Sequence, residues 1–198
     1  QHIALIAGRS GHGKSALAVN MALNMAEAGF KVVYCPLEQD CVEITQRLLA
    51  RLTQIDLSTI IRPTTWTEQE KSRLKKALYN FNKKIGKSSG GEFILDKPKT
   101  SITFDEAIAN ARVHFPDAIF IDYITLLKGT REKDQVFVLG QISQASKAWA
   151  IELDCVIVNI AQLNQEGRVK YAQSLNEDAN HDWFIDYHPE DPSLCMIT

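Results

Sequence analysis

The sequence lacks paired cysteines, long apolar runs and a clear excess of charge of one sign. Its 4 cysteines are scattered without a C-x-x-C pair, which excludes the usual spacings of zinc sites and disulfide frameworks. No apolar run approaches the ~20 residues that span a bilayer, and no secretory signal is visible. With a formal net charge of −2, any nucleic-acid contact must be local or supplied by neighbouring subunits. We expect a cytoplasmic protein with reduced thiols and no membrane partner.

The remaining composition is that of a folded domain. Hydrophobic residues make up 45% of the 198 and charged residues 23%, so we expect one globular domain over residues 1–198. Because Gln1 stands almost directly before a predicted strand, we also expect the domain to be part of a longer polypeptide.

Apolar runs alternate with helical periodicity along the chain. Residues 2–7, 31–37, 118–122 and 155–160 are continuous apolar runs typical of buried strands. Residues 14–28 and 135–153 show the spacing of amphipathic helices. This alternation predicts an α/β fold with a mostly parallel, twisted sheet and helices on both faces. Ligands of such sheets bind beyond the carboxyl ends of the strands.

A glycine-rich segment follows the first apolar run and matches G-x-x-x-x-G-K-[ST]. Its backbone N–H groups and the next helix's positive end suit phosphate oxygens. Lys14 is expected to reach the β- and γ-phosphates, and the Ser15 hydroxyl to contact Mg²⁺. We assign His12 no catalytic role. The alternative interpretation of the whole segment is a glycine-rich turn with a structural role only. The predicted ATP-binding residues are Gly8, Arg9, Ser10, Gly11, His12, Gly13, Lys14, Ser15 and Ala16.

Two acidic residues follow apolar strands. Asp122 ends the run at 118–122 and is expected to hold the Mg²⁺ shell, the alternative being a helix cap or turn. The residue after it is Tyr123, so the catalytic carboxylate must come from elsewhere. Glu38 is our candidate for the base, on a strand expected to lie beside the first. Its alternative is a surface carboxylate, and Glu43 is expected to be solvated.

Polar residues after the strand at 155–160 complete the predicted site. Gln162 is placed to sense the γ-phosphate, or it is simply a polar loop residue. Arg168 and Lys170 lie in the following loop and are candidates for single-stranded nucleic acid, with a solvated loop as the alternative.

Five segments, in order, resemble the ATPase domain of DnaB-type replicative helicases. They match that family's S-L-E, I-D-Y-L-Q-L-M, I-S-R-x-L-K-x-L-A-K-E-L, S-Q-L-N/S-R and E-Q-D-A-D segments. In this chain the five segments begin, in the same order, at Pro36, Ile121, Ile142, Ala161 and Glu177. The chain departs from the family at Gln165, where the family has Arg, and residues 165–177 are fewer than in the family's usual DNA-facing loop.

The resemblance implies a RecA-like P-loop NTPase fold and a ring, usually hexameric, with ATP bound between subunits. Single-stranded DNA would pass through the centre, and hydrolysis would drive translocation in a bacterial or phage-infected cell. By position, Lys14 and Ser15 would carry phosphate and Mg²⁺, Glu38 would be catalytic, Asp122 the Walker B acid and Gln162 the sensor. A primase or helicase loader would bind through regions outside this sequence. The family's arginine finger lies past the position of Thr198, so we expect slow ATP hydrolysis by this domain alone.

Two rival functions share the same core. A recombinase or circadian-clock-type relative would usually carry Ser or another small residue where this chain has Tyr123. A loader or assembly module would form nucleotide-dependent oligomers without releasing phosphate or unwinding DNA. Strand exchange without unwinding would identify the first, and absence of phosphate release the second.

Overall fold

The structure is a computed structural model that describes residues 2–62, 66–85, 90–96, 102–129, 135–163, 179–188, 190–191 and 195–198. The strands are β1 His2–Gly8, β2 Lys31–Pro36, β3 Glu92–Leu95, β4 Ala118–Asp122, β5 Val156–Gln162, β6 His181–Tyr187 and β7 Cys195–Ile197. The helices are α1 Lys14–Glu27, α2 Cys41–Thr53, α3 Leu57–Ile61, α4 Glu68–Lys84, α5 Phe104–Arg112 and α6 Gln135–Glu152.

The strands form one sheet in the order β3-β2-β4-β5-β1-β6-β7. Within the described residues every neighbouring pair is parallel except β6 and β7. Register places Gly8 opposite Gln162 and Pro36 opposite Asp122. The predicted α/β fold with a mostly parallel sheet is therefore confirmed, and the chemically interesting residues gather at its carboxyl edge.

The expectation that β2 lies beside β1 is wrong. Strands β4 and β5 lie between them. After β1 the chain forms β2 two strand positions away, and the later strands β4 and β5 occupy the positions between β1 and β2. Glu38 is therefore a neighbour of Asp122 across the β2–β4 pair, not of the strand that carries the glycine-rich loop. The crevice between such separated strand ends is the usual ligand position in an open α/β sheet.

Helices cover both faces of the sheet. Helices α1 and α2 pack on one face with the inward side chains of β2 and β4, and α5 and α6 pack on the other. Helix α1 lies close to the sheet because its inward positions are the fully buried Ala18, Ala22 and Ala26, one turn apart. This packing holds the start of α1 at the carboxyl edge.

Local caps fix where the helices begin. Asp40 caps α2 by accepting a hydrogen bond from the Glu43 N–H at 2.8 Å. Thr67 and Thr103 form capping boxes with Glu70 and Glu106, which begin α4 and α5. Among the described residues, no helix combines the length and apolarity that a bilayer crossing requires.

Candidate nucleotide-binding site

The loop between β1 and α1 has the backbone shape of an anion-binding nest. Gly11 and Gly13 have φ angles of 80° and 88°, in the left-handed region where a side chain would be strained. Gly13 is also the N-cap of α1, so the first N–H groups of the helix have no side-chain cap. Free N–H groups at a helix start, together with the helix dipole, favour a bound anion.

An open cleft lies over this loop, and most of the predicted residues line it. The structure brings together loop, strand-end and helix residues that are far apart in sequence. The lining residues are Ser10, Gly11, Gly13, Lys14, Ser15, Ala16, Glu38, Gln39, Arg47, Tyr123 and Gln162. The candidate base and the candidate sensor therefore share one space with the candidate phosphate loop.

Two of the predicted binding residues lie behind the cleft instead. A Cβ on Gly8 would stand 2.7 Å from the Ile185 carbonyl oxygen, so this position holds the loop against β6. Arg9 contributes its carbonyl to the loop, while its side chain lines a separate hollow with Phe184 and Met196. Both positions shape the loop, and neither residue lines the cleft.

His12, the third such residue, packs against the end of β6. Its ring centroid lies 4.2 Å from that of Tyr187, and its Nδ1 lies 3.1 Å from Asp186 Oδ1. The Tyr187 hydroxyl donates a hydrogen bond to the Gly11 carbonyl at 3.2 Å. These contacts attach the tip of the loop to the sheet edge, in keeping with the absence of a catalytic assignment for His12.

Lys14 is the cation at the centre of the site. Its side chain is buried, and its Nζ donates a hydrogen bond to the Arg9 carbonyl at 2.8 Å. Burial lowers the pKa of Lys14, while the nearby carboxylates of Asp122 and Glu38 act in the opposite direction. Both acids thus act on the same ammonium group, which is the grouping a triphosphate and its metal would need.

Asp122 is the buried acid of the site, only 2% exposed. The Tyr34 hydroxyl donates a hydrogen bond to its Oδ2 at 2.6 Å. Burial raises the pKa of Asp122, and this outweighs the hydroxyls of Tyr34 and Ser15 and the charges of Lys14 and Arg47, which lower it. The free protein therefore holds this carboxylate at a cost.

The residues present fit a magnesium ion. Asp122 Oδ1 is buried and has no hydrogen-bond partner within the described residues, so an acceptor is left for a metal-bound water. Across the same described residues, no group of three or more His, Cys, Asp and Glu could hold a metal without a ligand. Mg²⁺ commonly takes one or two protein oxygens and completes its shell with phosphate and water. The oxygen donors of Ser15 and Asp122 match that coordination preference.

Sequence reasoning missed three residues that line this cleft. Arg47, from α2, lines the cleft and acts electrostatically on Asp122 and Tyr34. Gln39 and Tyr123 also line the cleft, and the buried Oε1 of Gln39 has no hydrogen-bond partner within the described residues. Gln39 and Tyr123 stand next to Glu38 and Asp122 in sequence, so a positional signal pointed to them, whereas none pointed to Arg47.

Gln162 ends β5 directly opposite Gly8 and lines the cleft. The N–H of the next residue, Leu163, donates a hydrogen bond to the Gly8 carbonyl at 2.9 Å, which ties this strand end to the loop. Arg168 and Lys170 lie outside the described residues, so their contact with nucleic acid stays a prediction.

The chain matches the profile of the family described as DnaB-like helicase C terminal domain over residues 1–174. It belongs to this family. A replicative DNA helicase DnaB from Rickettsia typhi is 30% identical over 188 residues, which cover 88% of this chain and 35% of that protein. The corresponding Rickettsia bellii protein is 30% identical over 190 residues, covering 89% of this chain and 36% of that protein. The chain thus spans about a third of the length of these curated relatives.

Solved structures of the DnaB type share the fold. An ATPase domain superposes with a TM-score of 0.78 at 23% identity and covers 93% of this chain and 69% of that one. A DnaB-like replicative helicase, described with its interactions with primase, gives a TM-score of 0.77 at 23% identity. The latter match covers 96% of this chain and 48% of the solved chain. The RecA-like ATPase fold expected from the sequence is confirmed by these neighbours.

Proposed function

We propose that this DnaB-family domain is the ATP-hydrolysing motor of a replicative DNA helicase. The observation that carries the proposal is the single cleft in which Lys14 and the start of α1 meet Glu38 and Gln162, beside the buried Asp122. A triphosphate tail in this cleft would lie against N–H groups, a lysine and a metal-binding acid. Catalysis would then come from positioning and charge stabilisation.

Glu38 is the proposed general base. It lies two residues beyond the end of β2, and the N–H of Leu37 donates a hydrogen bond to the Asp122 carbonyl, which holds this strand end beside that of β4. Glu38 would accept a proton as the water oxygen bonds to the γ-phosphorus and the bond to the β–γ bridging oxygen breaks. The products are ADP and phosphate. When bound by Ser15 and Asp122, Mg²⁺ would neutralise charge on the phosphate oxygens.

Gln162 is the proposed link between the nucleotide and DNA. It lines the cleft at the end of β5, and the chain leads from it into the segment that carries Arg168 and Lys170. Loss of the γ-phosphate would alter the Gln162 contact and shift that segment. We propose that the segment faces single-stranded DNA in the centre of a ring, usually a hexamer. The solved relative described with primase supports primase as a partner, and a helicase loader is a second candidate.

Glu38→Gln tests the chemistry. The amide keeps the size of the side chain but cannot accept the proton, so we expect unchanged ATP binding and a fall in turnover of about 10²–10⁴-fold. Glu43→Gln is the matched control, because Glu43 is exposed one turn into α2 and does not line the cleft. Lys14→Ala should weaken both binding and turnover. Normal turnover by Glu38→Gln, or loss of turnover by Glu43→Gln, would transfer the role of base away from Glu38.

The helicase function is tested by strand displacement on a forked duplex with ATP. Unwinding that depends on Glu38 is expected; strand exchange without unwinding would favour a recombinase, and ATP-dependent oligomers without phosphate release an assembly module. Arg168→Ala and Lys170→Ala should each weaken single-stranded DNA binding at all sequences and reduce its salt dependence by about one unit of slope. Unchanged salt dependence would remove these two residues from the DNA contact.

A further inference from the structure

Tyr34 carries a buried hydroxyl group and belongs neither to the glycine-rich loop nor to the predicted catalytic residues. Its side chain has no exposed surface, and its hydroxyl donates a hydrogen bond to Asp122 Oδ2 at 2.6 Å. The ring stacks with Phe120 at 5.8 Å and with Phe93 at 6.2 Å between centroids, with the planes within 17° and 19° of parallel. Packing on both sides fixes where the hydroxyl points.

The hydrogen bond from Tyr34 engages only one of the two oxygens of the Asp122 carboxylate. Oδ2 is occupied by the Tyr34 hydroxyl, whereas the buried Oδ1 has no hydrogen-bond partner within the described residues. Strands β2 and β4 pair in register here, with Pro36 opposite Asp122, so the hydroxyl and the carboxylate come from neighbouring backbones that cannot drift apart. The carboxylate is thereby held in one orientation, with Oδ1 as the oxygen that has no hydrogen-bond partner within the described residues.

We propose that Tyr34 is a positioning residue for the magnesium site, holding Asp122 so that Oδ1 is presented to the metal's water shell. The inference rests on the proposed function, since it requires that Mg²⁺ accompanies the nucleotide. Groups that orient a metal ligand through a hydrogen bond commonly change metal affinity by about 10–100-fold when removed. Tyr34 does so from inside the protein and does not touch the nucleotide.

Tyr34→Phe isolates this role, because it removes one oxygen and keeps the stacked ring. The measurement is binding of a fluorescent nonhydrolysable ATP analogue during a magnesium titration, repeated in EDTA. We expect the magnesium concentration at half-saturation to rise about ten-fold, while affinity for the analogue in EDTA stays the same. A merely structural tyrosine would instead change both affinities together, or neither.

Phe93→Leu is the matched control, since it disturbs packing on the same ring while leaving the hydroxyl in place. Its magnesium curve should match that of the unaltered protein. A Tyr34→Phe protein with an unaltered magnesium curve, or with equal losses in magnesium and in EDTA, overturns the inference alone. An unaltered protein whose analogue binding is insensitive to magnesium overturns the proposed function together with the inference.

Discussion

Replacing Asp122 by Asn should stabilise the free protein while damaging its site. The carboxylate is 2% exposed, accepts a hydrogen bond from Tyr34 at Oδ2, lies near the Ser15 hydroxyl, and leaves the buried Oδ1 without a partner within the described residues. Asn keeps the shape and an acceptor for the Tyr34 hydroxyl but carries no charge. A buried unsatisfied polar group costs about 1–3 kcal/mol, and more when charged. The buried amide N–H₂ offsets part of the gain, so we expect a net stabilisation of about 1 kcal/mol.

The pH dependence gives this prediction a sign that can be checked. Burial raises the pKa of Asp122 in the folded state. The protonated Asp122 of the folded state therefore contributes its full stabilisation below the ordinary carboxyl pKa of about 3.9. This stabilisation is lost as pH rises through the raised pKa. The advantage of Asp122→Asn should be small near pH 4, grow as pH increases and level off above the raised pKa.

Thermal unfolding followed by circular dichroism in EDTA measures the effect. For a chain of 198 residues, about 1 kcal/mol corresponds to a rise in Tm of about 2–4 °C at pH 8. Magnesium and a nonhydrolysable analogue should reverse the order, since a ligand at 100-fold its Kd adds about 2.7 kcal/mol to a protein that binds it. A free Asp122→Asn protein less stable than the original at pH 8 would refute the reasoning, because attraction to Lys14 would then outweigh burial.

Three further changes separate loop geometry, charge and helix capping. Gly8→Ala should cost about 1–3 kcal/mol of stability and weaken nucleotide binding, because its Cβ would meet the Ile185 carbonyl at 2.7 Å; unchanged calorimetric affinity and Tm would contradict this. Arg47→Ala should weaken binding of the ATP analogue more than that of AMP, as measured by fluorescence titration, since its charge acts near Asp122; equal weakening would argue against a phosphate contact. Thr67→Ala should lower stability by about 1 kcal/mol through loss of the α4 cap without changing nucleotide affinity, and an altered affinity would show that α4 influences the cleft.

Much of the fold was predictable because its signals are local. Continuous apolar runs predicted the central strands, and α4 and α5 begin at the local T-x-x-E spacing of Thr67 and Thr103. Strand order was harder, because periodicity reports which residues are buried and not which strands pair. The expected neighbour of β1 was β2, and two strands that occur later in the chain occupy the space between them.

The site was predictable where chemistry follows a spacing and unpredictable where it depends on tertiary packing. The glycine-rich loop, Glu38, Asp122 and Gln162 each follow an apolar strand, so the rule about strand ends located them. Arg47 and Arg51 occupy the same helix and look equivalent in sequence. Arg51 donates to Asn24 at 2.6 Å on the α1 side, whereas Arg47 lines the cleft, and only the packing of α2 separates them.

Among the residues that the structure describes, two buried polar atoms without a hydrogen-bond partner lie at or beside the cleft. Folding normally leaves almost no buried polar atom without a partner, because each costs free energy. Within the described residues, the buried Asp122 Oδ1 and Gln39 Oε1 have no partner, and both belong to the cleft or its supporting acid. Two others lie elsewhere: Asn159 Oδ1, on a side chain that donates to Ser146 of α6, and His12 Nδ1, which lies 3.1 Å from Asp186 Oδ1. Local rules are broken most often where function compensates elsewhere. A ligand that donates a hydrogen bond to Oδ1 would remove the free-energy cost of leaving this atom unpaired. Asp122 should therefore lower the stability of the free protein and raise the stability of the protein with its ligand bound.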